Sequence, residues 1–267
     1  MSLSNDERDA LGYAKSLLEN PGLAAKITNV IGTPIERGFA LLPAKWSDAV
    51  NRAARAAIWK ALDAAVATVG DGAPRRSSDF FHQLIVAATG ATGGAFGLPA
   101  LLVELPISTT IMLRSIVDVA RSEGARIREI ETKLACIEVF ALGGPSKRDD
   151  ASETGYFAVR AALATTVSEA AQYIAEKGLA QEGGPALIRL IAQIAARFGV
   201  VVSEKAAAQA VPIIGAVGGA AINLIFIKHF QNMARGHFIV QGLERIHGQD
   251  VVRTEYEAIR TDPIGHP

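Results

Sequence analysis

The chain has 267 residues, of which 49% are hydrophobic and 20% are charged, so it can bury a full core and is too apolar to be disordered. Basic and acidic side chains number 27 each, and this balance argues against nucleic-acid binding, which requires a basic excess. The single cysteine, Cys136, excludes an internal disulfide and a multi-cysteine metal site. The polar, acidic amino terminus lacks the pattern of a signal peptide, so a cytoplasmic location is expected.

Helix start and stop signals divide the first part of the chain into helices. Asn5 is a candidate N-cap for a first helix that stops at Asn20, before Pro21. Ser47 opens a long alanine-rich helix that is expected to end near Gly70. The sequence thus predicts helices, not strands, before the first long apolar run.

The same signals continue to the carboxyl end. Pro106 is expected to restart a helix that reaches about Gly124, and another is expected from Arg128 to Leu142. The polar stretch Ser146–Ser152 is the best loop and a candidate boundary between halves. Further helices are expected at about 153–177, from Pro185 to Pro212, and from there to about residue 260.

No alternation of apolar and polar residues persists long enough, between turn signals, to predict a strand. The predicted fold class is therefore all-α, a compact multi-helix bundle. We expect N-terminal helices over 1–76 to pack on two core halves, 77–145 and 146–267, within one domain overall. The spacing of Arg189, Gln193 and Arg197 opposite apolar residues predicts an amphipathic helix packed on the core. A helix lying in a membrane interface is the alternative.

A weak internal repeat is the most distinctive feature of the sequence. The hexapeptides 90–95 and 215–220 match at five of six positions, and each lies in a run without charges, 83–103 or 206–227. Both runs approach the roughly 20 residues that cross a bilayer. Glycines four apart would leave a bare strip on a helix for close contact with another backbone. The candidate ligand-binding or helix-contact glycines are Gly90, Gly93, Gly94, Gly97, Gly215, Gly218 and Gly219.

Both runs are poor in Leu, Ile, Val and Phe, and their central glycines lower helix propensity, so an isolated membrane span is disfavoured. Two such segments packed face to face are more favourable. The open alternatives are a central helix pair in a soluble or peripheral protein and true membrane insertion. Asn223, inside the second run, is interpreted as a register-fixing hydrogen bond or as part of a ligand site.

The chain contains no phosphate-binding glycine loop, no nucleophile turn, no zinc-protease motif and no dinucleotide fingerprint, so the sequence predicts no cofactor. One group of charges follows the first apolar run: Glu104, Arg114 and Asp118. Arg114 and Asp118 can pair along a helix, and Glu104 could reach them only if the turn at Pro106 folds back. A buried structural ion cluster and a centre for ligand or proton handling are both open for this group.

A metal site is the least favoured of the chemical hypotheses. Two acid-x-x-His pairs have the spacing that di-iron helical bundles use twice, and two further carboxylates could complete the ligands. The first acid also fits a helix cap, and the second pair has the character of a helix surface. The full set would be Asp79, His82, Glu104, Glu138, Glu244 and His247.

The order and spacing of several segments give a family resemblance. The glycine-rich segment 90–99 leads into Glu104-Leu105-Pro106, then into 109–124 and 136–144, and the second repeat at 212–220 is followed by Asn223. In this order the chain resembles the bacterial EcsC family from about Asn51 to Leu243. We expect an aspartate in the family where this chain has Glu104. The glutamate keeps the negative charge, but its longer side chain changes the geometry of the carboxylate.

The resemblance implies a helical bacterial protein associated with membranes or exporter systems, without an established activity and without catalytic residues to carry over. The preferred hypothesis is a non-enzymatic protein that binds a membrane, a lipid or another hydrophobic molecule, or a membrane protein, through the glycine-lined helices. The alternative is an enzyme acting on a lipid-like or small substrate, with Glu104 as general acid or base.

Overall fold

The computed structural model describes residues 3–19, 23–31, 35–68, 98–144, 155–178, 184–210 and 215–259, and in these ranges the chain is helical with no strand. The all-α prediction is confirmed. The described helices are α1 (Asn5–Leu18), α2 (Leu23–Ile31), α3 (Ile35–Ala40), α4 (Trp46–Thr68), α5 (Leu98–Ser122), α6 (Ile130–Leu142), α7 (Gly155–Lys177), α8 (Pro185–Ala210), α9 (Gly215–His247) and α10 (Gln249–Ala258).

Two long helices hold the others together. α8 contacts every described helix from α2 to α7, and α9 contacts α1, α2, α5, α6, α8 and α10. The buried hydrophobic side chains form one continuous core that extends from Leu3 to Tyr256. Residues far apart in the sequence therefore meet around α8 and α9, which is where the buried polar groups also lie.

The cap of the first helix lies one residue earlier than the sequence predicted, and the helix begins at Asn5. Ser4, not Asn5, is the N-cap of α1: its hydroxyl accepts a hydrogen bond from the Glu7 backbone N–H. The Glu7 carboxylate in turn accepts from the Ser4 backbone N–H at 2.8 Å. This reciprocal capping box satisfies two donors that would otherwise be unpaired at the helix start. The expectation for Asn5 was wrong because the acid at the third helical position selects Ser4.

The predicted helix start at Pro106 is also wrong, because α5 runs from Leu98 to Ser122 with Pro106 in its interior. Proline removes one backbone hydrogen bond and normally costs about 3 kcal/mol inside a helix. Leu105 and Met112 of the same helix are fully buried, and such burial is worth about 1.5–3 kcal/mol per side chain. Tertiary packing thus offsets the cost of the proline, and the helix continues past it.

The amphipathic pattern of α8 appears in the structure as predicted. Leu190, Ile194 and Phe198 are buried, and Arg189 and Gln193 are exposed. Arg197 is half-buried and donates to the Ala141 carbonyl oxygen. The buried side faces α7 and α4 among other helices. α8 is therefore a core-packed helix with one exposed side.

Close backbone approach occurs at glycines outside the two hexapeptides. A Cβ on Gly38 of α3 would lie 1.9 Å from the Ala207 carbonyl oxygen of α8. A Cβ on Gly236 of α9 would lie 3.0 Å from the Ala14 carbonyl oxygen of α1. The first hexapeptide lies outside the described residues, so the predicted contact between the two repeats stays a prediction.

Candidate functional site

Three polar side chains from three helices meet where α5, α8 and α9 pack together. Lys205 Nζ of α8 lies 3.1 Å from Glu104 Oε1 of α5, and Asn223 Nδ2 of α9 donates to the same oxygen at 2.9 Å. Lys205 and Asn223 are 0% exposed and Glu104 is 8% exposed. We call these three residues the Glu104 cluster. It is a buried ion pair with an amide that helps to hold the carboxylate in place.

The surroundings of the Glu104 cluster are apolar and aromatic. Lys205 Nζ lies 5.0 Å from the centre of the Phe226 ring, which favours the ammonium through a cation–π contact. Phe226 is part of a cluster of four phenylalanine rings that reaches across α6, α8 and α9. Burial lowers the pKa of Lys205 below its usual value, and the Glu104 carboxylate opposes this shift. The members of the ring cluster are Phe140, Phe198, Phe226 and Phe230.

Some side-chain atoms of Glu104 and Gln209 are buried without a hydrogen-bond partner in the described part of the chain. Glu104 Oε2 is buried and has no hydrogen-bond partner among the residues that the structure describes. Both side-chain amide atoms of Gln209 are in the same condition. Gln209 lies four residues after Lys205 on α8, which places both on the same face of the helix. Each buried unpaired polar atom costs the folded protein about 1–3 kcal/mol.

The other two charges that the sequence grouped with Glu104 lie elsewhere. α5 is continuous, so Arg114 is ten residues or about 15 Å further along the same helix, and the fold-back at Pro106 does not occur. Arg114 is exposed, and Asp118 accepts a hydrogen bond from Arg121 at 3.2 Å. The structure therefore brings Glu104 and Asn223 together but leaves Arg114 and Asp118 out of this centre.

A second group of polar residues lies at the other end of α9. Arg160 of α7 makes two hydrogen bonds with the Glu244 carboxylate, at 2.7 and 2.8 Å, and Tyr156 is bonded to His237 Nδ1 at 2.9 Å. Burial raises the pKa of the nearby Glu138 to about 7, Arg160 opposes the shift, and Glu244 adds to it. We call these five residues the Arg160 cluster. Arg160 and Glu244 also line an open cleft of about 330 Å³.

Two of the residues proposed as metal ligands are each bound to a different partner. Glu244 is bound to Arg160, and His247 Nε2 lies 2.7 Å from a carboxylate oxygen of Glu7. Asp79 and His82 lie outside the described residues. Within the described ranges, no group of three or more His, Cys, Asp or Glu side chains is arranged to hold a metal ion.

Only three of the candidate glycines lie within the described residues. Gly215, Gly218 and Gly219 form the first turns of α9, eight to four residues before Asn223. The glycines at positions 90, 93, 94 and 97 lie outside the described residues. Their role as a contact strip or ligand wall therefore stays a prediction.

Comparison with known proteins adds one decisive observation. The model of the EcsC protein family matches residues 14–240, which is most of the chain. The chain belongs to the EcsC protein family. No curated protein and no solved structure matches it. The match includes all members of the Glu104 cluster, so these residues belong to the part of the chain that the EcsC family shares.

One described helix of this EcsC protein is long and apolar enough to cross a membrane. It is α8, with 26 residues and a mean hydropathy of 1.7 in its best window. Half of that window is buried inside the protein, and core helices of soluble proteins pass the same test. The feature is therefore weak evidence for a membrane span.

Sequence reasoning about this EcsC protein missed Lys205. The sequence does contain a sign of it, because Lys205 follows Ile194, Phe198 and Val201 at helical spacing on the buried side of α8. A lysine on that side requires a partner for its charge. The sequence does not name the partner, because Glu104 is 101 positions away.

Proposed function

We propose that this protein is a non-enzymatic, membrane-associated helical protein that binds a hydrophobic ligand, with lipid as the ligand class, beside the Glu104 cluster. The membrane partner is the lipid itself or a membrane protein such as an exporter component. The observation that supports the proposal is that Glu104 Oε2 and both amide atoms of Gln209 are buried without a hydrogen-bond partner in the described part of the chain. A polar head group would complete these hydrogen bonds.

The apolar surroundings support an amphiphilic ligand over a fully polar one. Leu101, Leu105 and Ile222, on the two helices that supply Glu104 and Asn223, are 0% exposed, as is Phe226. An acyl chain buries about 0.8 kcal/mol per methylene in such an environment. A head group at the Glu104 cluster and a chain among these residues would account for both the polar and the apolar features of the junction.

The test is to purify the full chain from cells under native conditions and to identify the molecules released by organic extraction with mass spectrometry. We expect a hydrophobic compound in stoichiometric amount. Gln209→Leu removes the two unpaired amide atoms, so we expect less bound ligand and a free energy of unfolding of the ligand-free protein that is about 1–3 kcal/mol higher. Gln172→Leu, on the exposed side of α7, is the control that should change neither quantity.

This opposite movement of ligand content and stability distinguishes a binding role from a structural one. If Gln209→Leu lowers stability and leaves the extracted material unchanged, Gln209 is structural. Recovery of the protein without any co-purifying hydrophobic molecule, and without binding to added lipid, would refute the proposed function.

A second candidate function is an enzyme acting on a lipid-like or small substrate. It is favoured by Lys205, because a desolvated amine with a lowered pKa beside a carboxylate is an arrangement that general acid–base chemistry uses. Lys205→Arg keeps the cation and changes its geometry. Turnover of the extracted ligand that is lost in this variant, with the ligand still bound, would favour the enzyme.

A further inference from the structure

The charge balance of the Glu104 cluster restricts what can bind beside it. Glu104 and Lys205 are together neutral, and Lys205 is 0% exposed. A ligand head group with its own charge would leave one charge uncompensated in a buried place. Isolated charges are strongly disfavoured in such a place, whereas a neutral polar group adds no net charge.

The unpaired atoms restrict the head group further. Glu104 Oε2 can only accept a hydrogen bond while the carboxylate is ionised, so the head group must donate. The Gln209 amide offers one acceptor and one donor atom, both without a partner in the described part of the chain. A hydroxyl donates one hydrogen bond and accepts others. It therefore supplies the donor that Glu104 Oε2 requires as a small neutral group, and it keeps acceptor capacity for an amide such as that of Gln209.

We infer that the site beside the Glu104 cluster selects a neutral amphiphile carrying a hydroxyl group over a carboxylate or an ammonium of the same chain length. The inference rests on the function proposed above and names the class of ligand. Chemically it describes a long-chain alcohol or a neutral lipid with a free hydroxyl.

The test compares three ligands with one chain and different heads: 1-dodecanol, dodecanoate and dodecylamine. Each is titrated, below its solubility limit or its critical micelle concentration, into the purified full chain at pH 7, and binding is measured by calorimetry. We expect the alcohol to bind at least tenfold more tightly than either charged ligand. Equal or tighter binding of dodecanoate or dodecylamine overturns the inference while the proposed function stands. Failure of all three to bind, in a protein that also carries no hydrophobic molecule, refutes both.

Charge-changing variants make the test sharper. Lys205→Met leaves Glu104 as the uncompensated charge, so the preference should move to dodecylamine. Glu104→Gln leaves Lys205 uncompensated, so the preference should move to dodecanoate. A preference for the alcohol that is the same in both variants would show that the pair does not set the selectivity.

The single variants leave a buried charge without its partner, which threatens folding. The double variant Glu104→Gln/Lys205→Met avoids this problem because its site is neutral again. We expect it to fold and to keep the rank order of the alcohol above the two charged ligands. Loss of that order in the folded double variant counts against charge balance as the cause. Arg253→Gln/Glu257→Gln, which removes an exposed ion pair on α10, is the matched control and should bind like the parent.

Discussion

Glu138 shows how strongly a single residue responds to its surroundings in this protein. Glu138 is 6% exposed, and burial raises the pKa of its carboxyl to about 7 from an ordinary value of 4.5. Arg160 of the neighbouring α7 opposes this shift but is itself bound to Glu244. The arginine is shared between two acids, and this sharing leaves Glu138 with less stabilisation of its charged form.

This raised pKa makes stability depend on pH in a defined direction. Between pH 4.5 and about 7 the folded state keeps a proton on Glu138 that the unfolded state releases. The free energy of unfolding therefore falls as pH rises through this window, by about 3 kcal/mol from this group. In Glu138→Gln that contribution is absent, so we expect the variant to gain stability relative to the parent as pH rises from 5 to 7. Urea unfolding at several pH values measures it.

The comparison with Glu138→Gln isolates this residue from the two buried histidines. Burial lowers the pKa of His229 to about 4 and that of His237 well below 6.5, so both contribute the opposite pH dependence near pH 6. Glu131→Gln, an exposed change on the same helix, should follow the parent at every pH. Parallel stability curves for Glu138→Gln and the parent would contradict the assignment.

At the scale of elements, α3 and α8 approach each other more closely than side chains permit. The six-residue α3 places Gly38 against the Ala207 carbonyl, two residues after Lys205. Any side chain at position 38 must push the short helix away from α8. The position of α3 is therefore coupled to the segment of α8 that carries the buried lysine.

We expect Gly38→Ala to destabilise the protein by about 1–3 kcal/mol, the usual cost of overpacking a well-packed contact. Its Cβ would lie 1.9 Å from a backbone oxygen, which cannot move independently of α8. Urea unfolding followed by circular dichroism measures the change.

Gly12→Ala is the matched control within α1, where an added Cβ meets nothing within 4 Å. Alanine in place of this helical glycine should raise stability by about 0.5–1 kcal/mol. If both variants shift in the same direction, the close contact between α3 and α8 is not what determines the cost.

At the scale of the whole molecule, the balance of charge restricts how the protein could associate with a membrane. With 27 residues of each sign, the chain has no excess positive charge to attract anionic lipid. The exposed apolar side chains on α8, Ile188 at 50% and Val200 at 44%, offer a hydrophobic contact instead. On the proposed function, we expect binding to neutral vesicles that does not strengthen as anionic lipid is added.

Vesicle flotation measures this expectation. Ile188→Ser/Val200→Ser should reduce the floated fraction several-fold, because two exposed apolar side chains are lost from α8. Ile246→Ser, which changes a more exposed apolar residue near the end of α9, should float like the parent. A steep rise of binding with anionic lipid would show that charge, not apolar contact, controls association.

The sequence by itself determined the helical class, the amphipathic character of α8 and the resemblance to a family, because these depend on periodicity, caps and local order along the chain. It also identified Glu104 and Asn223 as polar groups in apolar surroundings. It did not determine that α5 continues through Pro106, since the burial that offsets the proline comes from other helices.

Only the tertiary structure decided which charges meet. Lys205 and Asn223 reach the same oxygen of Glu104 from positions 101 and 119 residues away. Helical periodicity places each side chain on the buried face of its own helix, but it does not say which helix lies opposite or at what height. That choice depends on the simultaneous packing of α5, α8 and α9. The same packing pairs Glu104 with Lys205 and so makes the site neutral, and the proposed ligand selectivity depends on this neutrality.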